Sequence, residues 1–171
     1  METLTEPQSV FFKEDEKIPN NQNLPVLIYR QLLERQTADK DKVFKRHFEK
    51  SGWRGGWTGV IFDYHHFHPN SHEALAIAKG HVNVMLGGES GKEFDLEAGD
   101  LLVLPAGTGH KMVSQSESLV VVGAYPPGQE DYEICKSIAE CPDAKERIAQ
   151  LPLPLNDPFH GSPGPLRNFW K

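Results

Sequence analysis

From Trp57 to Tyr125 the chain breaks into short runs of β-type residues in which apolar and polar positions change over within two or three residues. The runs cover 58–67, 73–78, 81–86, 92–96, 101–104, 110–113 and 119–125. Turn signals separate them: Pro69-Asn70-Ser71, Gly87-Gly88-Glu89-Ser90-Gly91, Ala98-Gly99-Asp100 and Pro105-Ala106-Gly107. Short strands with tight connections and no helical pattern between them predict an antiparallel sandwich or barrel.

The flanks differ in texture. Residues 1–24 are polar and rich in Pro and Asn, with one apolar patch at Val10, Phe11 and Phe12, and read as an arm lying on a body. In 37–50, Phe44 and Phe48 are four residues apart with Val43 and His47 beside them, which predicts an amphipathic helix closing near Ser51-Gly52. Beyond Pro126-Pro127, residues 143–151 read as a short helix, and the proline-rich tail predicts no regular element. Leu153, Leu155, Phe159, Leu166 and Trp170 would seat that tail on its own barrel or on a partner subunit, an arrangement suited to a homodimer. The expected organisation is one domain, 1–171, with an N-terminal arm and helix (1–56), a barrel core (57–126) and a C-terminal helix and arm (127–171).

With 171 residues the chain can bury roughly 70% of its unfolded surface, so folding requires no staple or structural metal. Its 18 Lys and Arg against 24 Asp and Glu leave a net charge of −6 and no basic stripe, which argues against a nucleic-acid partner. No apolar run approaches the about 20 residues of a membrane span, and the start lacks the pattern of a signal peptide. The expected location is cytoplasmic. Cys135 and Cys141 match no zinc or redox spacing and read as free or buried thiols.

Four of the eight histidines fall between His65 and His72. In an extended strand Phe62, Tyr64, His66 and His68 would share one face, so His66 and His68 can chelate one ion while His65 points away. Glu73 opens the next strand, sharing a face with Leu75 and Ile77, and His110 opens a later one. Three neutral imidazoles and a carboxylate suit a divalent first-row metal (Mn, Fe, Ni, Co or Zn), and octahedral geometry would leave positions open for substrate. Tyr64, His72 and Met112 are candidates for the substrate pocket, His72 as a proton shuttle if the turn before it is irregular. His47, His81 and His160 read as packing or surface residues.

This pattern resembles the cupins of the RmlC-like superfamily. Their first motif, G(X)5HXH(X)3,4E(X)6G, is met by His66, His68, Glu73 and Gly80, and their second, G(X)5PXG(X)2H(X)3N, by Gly99, Pro105, Gly107 and His110. Gly59 stands one residue too far from His66, and Ser114 replaces the last Asn; neither position is a ligand in the family pattern. The helix before the barrel and the tail Asp157-Pro158-Phe159-His160-Gly161 are similar to the YjlB-like single-domain cupins.

The resemblance implies an all-β double-stranded β-helix, a jelly-roll barrel, with flanking helices and arms. It implies His66, His68, Glu73 and His110 as metal ligands. Three functions stay open: a metal-dependent enzyme acting on a small molecule, of dioxygenase or isomerase type; a cupin that binds or senses a small ligand without turnover; and a barrel retained for stability alone.

Overall fold

A computed structural model describes residues 5–171. The chain runs through β1 (Gln8–Val10), β2 (Val26–Tyr29), α1 (Lys40–Lys50), β3 (Arg54–Gly59), β4 (Glu73–Lys79), β5 (His81–Leu86), β6 (Lys92–Glu97), β7 (Leu101–Leu104), β8 (His110–Gln115), β9 (Val120–Tyr125), α2 (Ala144–Gln150) and α3 (Leu166–Phe169). The strands form two sheets, ordered β1-β2-β7-β4-β9-β3 and β6-β5-β8. Their pairings are antiparallel, as in a jelly roll.

The central strands of the larger sheet, β2, β7, β4 and β9, are buried on both faces. Val26, Ile28, Leu75, Ile77, Leu102, Leu104 and Val121 point inward and meet Val82, Val84, Leu86, Phe94 and Leu96 of the smaller sheet. The alternate residues, among them Leu27, Tyr29, Ala74, Ala76, Val103 and Val122, pack outward against Phe44, Phe48, Trp53, Leu166 and Trp170. α1 and the C-terminal arm therefore form a third layer over the barrel. Small alanines along β4 let that layer approach the sheet closely.

The arm packs on its own chain. Trp170 is fully buried and its indole N–H donates to the Pro25 carbonyl at 2.9 Å. Asp157, also fully buried, accepts backbone N–H bonds from Phe159 and His160 at 2.9 Å and from Leu166 at 3.2 Å, and the Tyr29 hydroxyl donates to it. A buried carboxylate is stable there because its oxygens are supplied with donors. The arm thus gives no support of its own to a homodimer.

Four expectations are corrected. Residues 58–67 are not one strand: β3 ends at Gly59, and an irregular segment follows in which His66 pairs with His110 and Phe67 with Cys135 as single bridges. The N-terminal region is more than an arm, since β2 pairs with β7 inside the sheet and β1 pairs with β2. The tail contains one helical turn, α3, started by Pro165, whose fixed φ and missing N–H suit a helix start. Cys135 and Cys141 are joined by a disulfide, because the turn between them brings their Cα atoms to 6.3 Å. That bond bears on the expected location, since cytosolic thiols are ordinarily kept reduced. Among the described residues no helix is long and apolar enough to cross a membrane.

Candidate metal centre

The bridge between His66 and His110 builds the floor of the site. Each donates its backbone N–H to the other's carbonyl, at 3.2 and 3.0 Å, and their ring centroids lie 4.0 Å apart. His68 is fixed two residues on, where its carbonyl accepts the Gly107 N–H at 2.9 Å. Gly107 has φ of 90°, a conformation that side chains rarely tolerate, so the turn that delivers His110 needs glycine there. Glu73 enters from the head of β4, opposite Leu104 of β7.

All four residues are at most 4% exposed. The three histidines each offer a ring nitrogen, and these lie within 4.8 Å of one another, so the cluster can hold a metal ion. Each Nδ1 faces a backbone carbonyl: Tyr64 at 2.9 Å for His66, Glu133 at 2.7 Å for His68 and Thr108 at 3.0 Å for His110. A proton on each Nδ1 satisfies these contacts and leaves each Nε2 with a free lone pair directed inward, the tautomer a metal ligand requires. Glu73 Oε1 lies 3.3 Å from His68 Nε2 and 3.2 Å from His110 Nε2. Both Glu73 Oε1 and His68 Nε2 are buried without a hydrogen-bond partner. Lone pairs gathered around one point without a donor are costly, and a cation there would satisfy them together.

The electrostatics follow the same geometry. Burial opposes ionisation of Glu73, but positive charge at the Nε2 edges of His68 and His110, a proton or a bound cation, outweighs it and holds its carboxyl well below the usual range. Burial, with the neighbouring His110, pushes His66 down to about 3 and keeps its imidazole neutral. Tyr125 donates its hydroxyl to Glu73 Oε2 at 2.6 Å and receives the Trp57 indole N–H at 2.7 Å. Burial and the adjacent carboxylate raise the Tyr125 phenol, which stays protonated as a fixed donor.

Residues 57–123 match the family model described as a Cupin domain. An uncharacterized protein, YjlB of Bacillus subtilis (strain 168), is 39% identical over 166 residues, covering 96% of this chain and 97% of that protein. The chain belongs to the cupin family. Solved structures similar to this cupin include an acireductone dioxygenase from Bacillus anthracis with a cadmium ion in its active center, 15% identical, covering 74% of this chain and 96% of that one with a TM-score of 0.44. Another is a DUF861 family protein from Thermotoga maritima, 25% identical, covering 57% and 96% of the two chains with a TM-score of 0.34.

Of the residues singled out from sequence, the cupin brings His66, His68, Glu73 and His110 together and leaves the three pocket candidates out of the cavity lining. Tyr64 contributes its carbonyl to His66, while its ring stacks on Phe62 at 5.1 Å, outside the cavity beside the cluster. Met112 packs into the core between the sheets, because two residues along β8 carry it about 7 Å beyond His110. His72 alternates with Glu73 and so faces the other side of the sheet, yet it is buried, not solvent-facing, under Trp170 with ring centroids 4.8 Å apart. Its Nδ1 accepts the Ala106 N–H at 2.8 Å, and it does not line the cavity, so it stands away from a shuttle's place at the mouth.

His65 turns away from the cluster, toward Asp15, Glu16 and Lys17, as expected. His47 packs flat on Phe159 at 3.9 Å. The cavity residues not named as candidates from sequence include Trp57, Tyr125 and Tyr132. Tyr125 ends the predicted strand 119–125 on the same side as Val121, so alternation alone places it inward. Tyr132 stacks on Tyr125 at 4.3 Å from a loop with no sequence signal.

Proposed function

We propose that this cupin binds a divalent transition metal (Mn, Fe, Ni, Co or Zn) through His66, His68, Glu73 and His110 and acts as a metal-dependent enzyme on a small molecule. The observation that carries the reading is the pair of buried, partnerless atoms, His68 Nε2 and Glu73 Oε1, facing each other at 3.3 Å. When bound, such an ion supplies Lewis acidity or, if redox-active, oxygen chemistry of the dioxygenase type. The chain's own contribution is orientation: three carbonyls hold the imidazole tautomers, and Tyr125 holds the second oxygen of Glu73. Trp57, Ile61 and Leu75 wall a cavity of about 120 Å³ beside the cluster.

Metal content of protein purified without chelator tests the reading. The expected result is near-stoichiometric metal at neutral pH and loss by about pH 4, because the ligating imidazoles must be deprotonated. His110→Ala should abolish retention and His160→Ala should preserve it; equal effects would overturn the ligand assignment. Binding or sensing without turnover is the second reading, and one observation favours it. Beyond the four ligands the cavity offers two phenols as proton-bearing groups, and Tyr125 is a poor acid or base. Oxygen uptake across a substrate panel separates the two. A homodimer in the cytoplasm is the setting expected from sequence; light scattering of the purified protein tests the first, and the oxidation state of Cys135 and Cys141 in freshly lysed cells tests the second, since a stable disulfide argues for an oxidising compartment.

A further inference from the structure

The cavity over the cluster is unusual for what its walls withhold. Trp57, Ile61 and Leu75 form the sides, and Val60, Phe62 and Ile134 form the mouth. The three mouth residues are large apolar side chains standing 50%, 45% and 42% exposed. An apolar rim around a polar floor stays wet until a ligand covers it. Among the described residues that line the cavity there is no Lys, Arg, Asn, Gln, Ser or Thr. Two polar groups of the wall are already spent on each other, the Trp57 indole N–H on the Tyr125 hydroxyl and that hydroxyl on Glu73. The nearby Lys136 ammonium sits 4.7 Å over the Tyr64 ring, outside the cavity.

Tyr132 adds one neutral hydroxyl to the wall, so a ligand finds charged partners only at the floor. Any second ionised group, held against the walls, would lose its water and gain no charged partner. The size restricts it further, since about 120 Å³ is well under the roughly 300–1,000 Å³ of pockets that take drug-sized molecules. Aromatic side chains are prominent around the space, which suits a flat apolar body.

Resting on the metal reading above, we infer that the site takes a small neutral molecule, of about one ring, whose oxygen donors are gathered at one end. It selects against the same molecule carrying a further carboxylate. The distinguishing feature is absence of a counter-charge, so a cation placed at the mouth should reverse the preference. Ile134 is the position for it, because its exposure lets Arg be introduced without disturbing the core.

The test uses full-length protein loaded with Zn(II), which avoids oxidation of the probes, and calorimetric titration with 4-methylcatechol and 3,4-dihydroxybenzoate. These share the donor pair and differ in methyl against carboxylate. The expected result is at least ten-fold tighter binding of 4-methylcatechol by the native protein, and a shift of at least ten-fold toward 3,4-dihydroxybenzoate in Ile134→Arg. Equal or tighter binding of the carboxylate by native protein, or binding of neither probe, would overturn the inference. Zinc content of the same sample is measured first. Protein that holds zinc but prefers the carboxylate refutes the substrate class alone, whereas protein that holds no zinc refutes the metal reading and the inference with it.

Discussion

His72 should make this fold sensitive to mild acid, and replacing it should remove a defined part of that sensitivity. The imidazole is 1% exposed, its Nδ1 accepts the Ala106 N–H at 2.8 Å, and burial lowers its pKa to about 3. In the unfolded chain the same group titrates near about 6.5. A folded pKa below the unfolded one means that stability is complete above the unfolded value and is lost as pH falls toward the folded value. Between about pH 7 and pH 5 the unfolded chain gains about 0.7 of a proton that the native state refuses, which removes about 2 kcal/mol.

His72→Asn supplies an oxygen near the position of Nδ1 to accept the Ala106 N–H, and it cannot ionise in this range. Urea unfolding of metal-free protein at both pH values gives the comparison. The native protein should lose about 2 kcal/mol more than the variant on acidification, a large part of a total stability of about 5–15 kcal/mol. His66 acts with the same sign but is present in both proteins, and the packing lost against Trp170 is the same at both pH values, so both cancel. Equal losses in the two proteins would refute the reasoning and return His72 to solvent contact.

Two further outcomes follow from named contacts. Tyr125→Phe removes the hydroxyl between Trp57 and Glu73 and strands both; it should weaken metal binding about 10–100-fold in competition with a chelating dye, and unchanged affinity would deny Tyr125 a part in holding the carboxylate. Cys141→Ser opens a short disulfide loop and should lower stability by about 2 kcal/mol in denaturant titrations under oxidising conditions; in reducing buffer the two proteins should unfold together, and a persistent gap would show that the loss lies in packing.

Most of the barrel was readable because its strands carry their own signals. Strands 81–86 and 101–104 coincide with β5 and β7, where turn glycines bound a clear run. β2 escaped notice for the opposite reason. Its four residues, Val26, Leu27, Ile28 and Tyr29, are buried on both faces, so no alternation marks them, and a short apolar run reads equally as helix or strand. β3 contains Gly55, Gly56 and Gly59, poor strand formers. What holds it is tertiary: the Trp57 ring lies on the bare backbone of β9, where a Cβ at Gly123 would come within 2.3 Å of the indole. No local pattern encodes that contact.

The four candidate ligands were legible from spacing, although the strand used to align His66 and His68 does not exist over its expected length. They converge because a single bridge to His110 substitutes for a ladder. The groups that aim the imidazoles are backbone carbonyls, and side-chain identity says nothing about which carbonyl faces inward. Those of Tyr64 and Thr108 lie two residues before their histidines, but that of Glu133 comes from 65 residues away. Its loop is tied to the site at Phe67, which exchanges both backbone hydrogen bonds with Cys135, at 2.8 and 2.9 Å. Phe67 sits between the two histidines, so the segment that ends in the disulfide and supplies Tyr132 and Ile134 to the cavity hangs from the metal-binding turn itself. Changes in this loop therefore reach the orientation of His68 and the shape of the cavity together, without touching any of the four ligands.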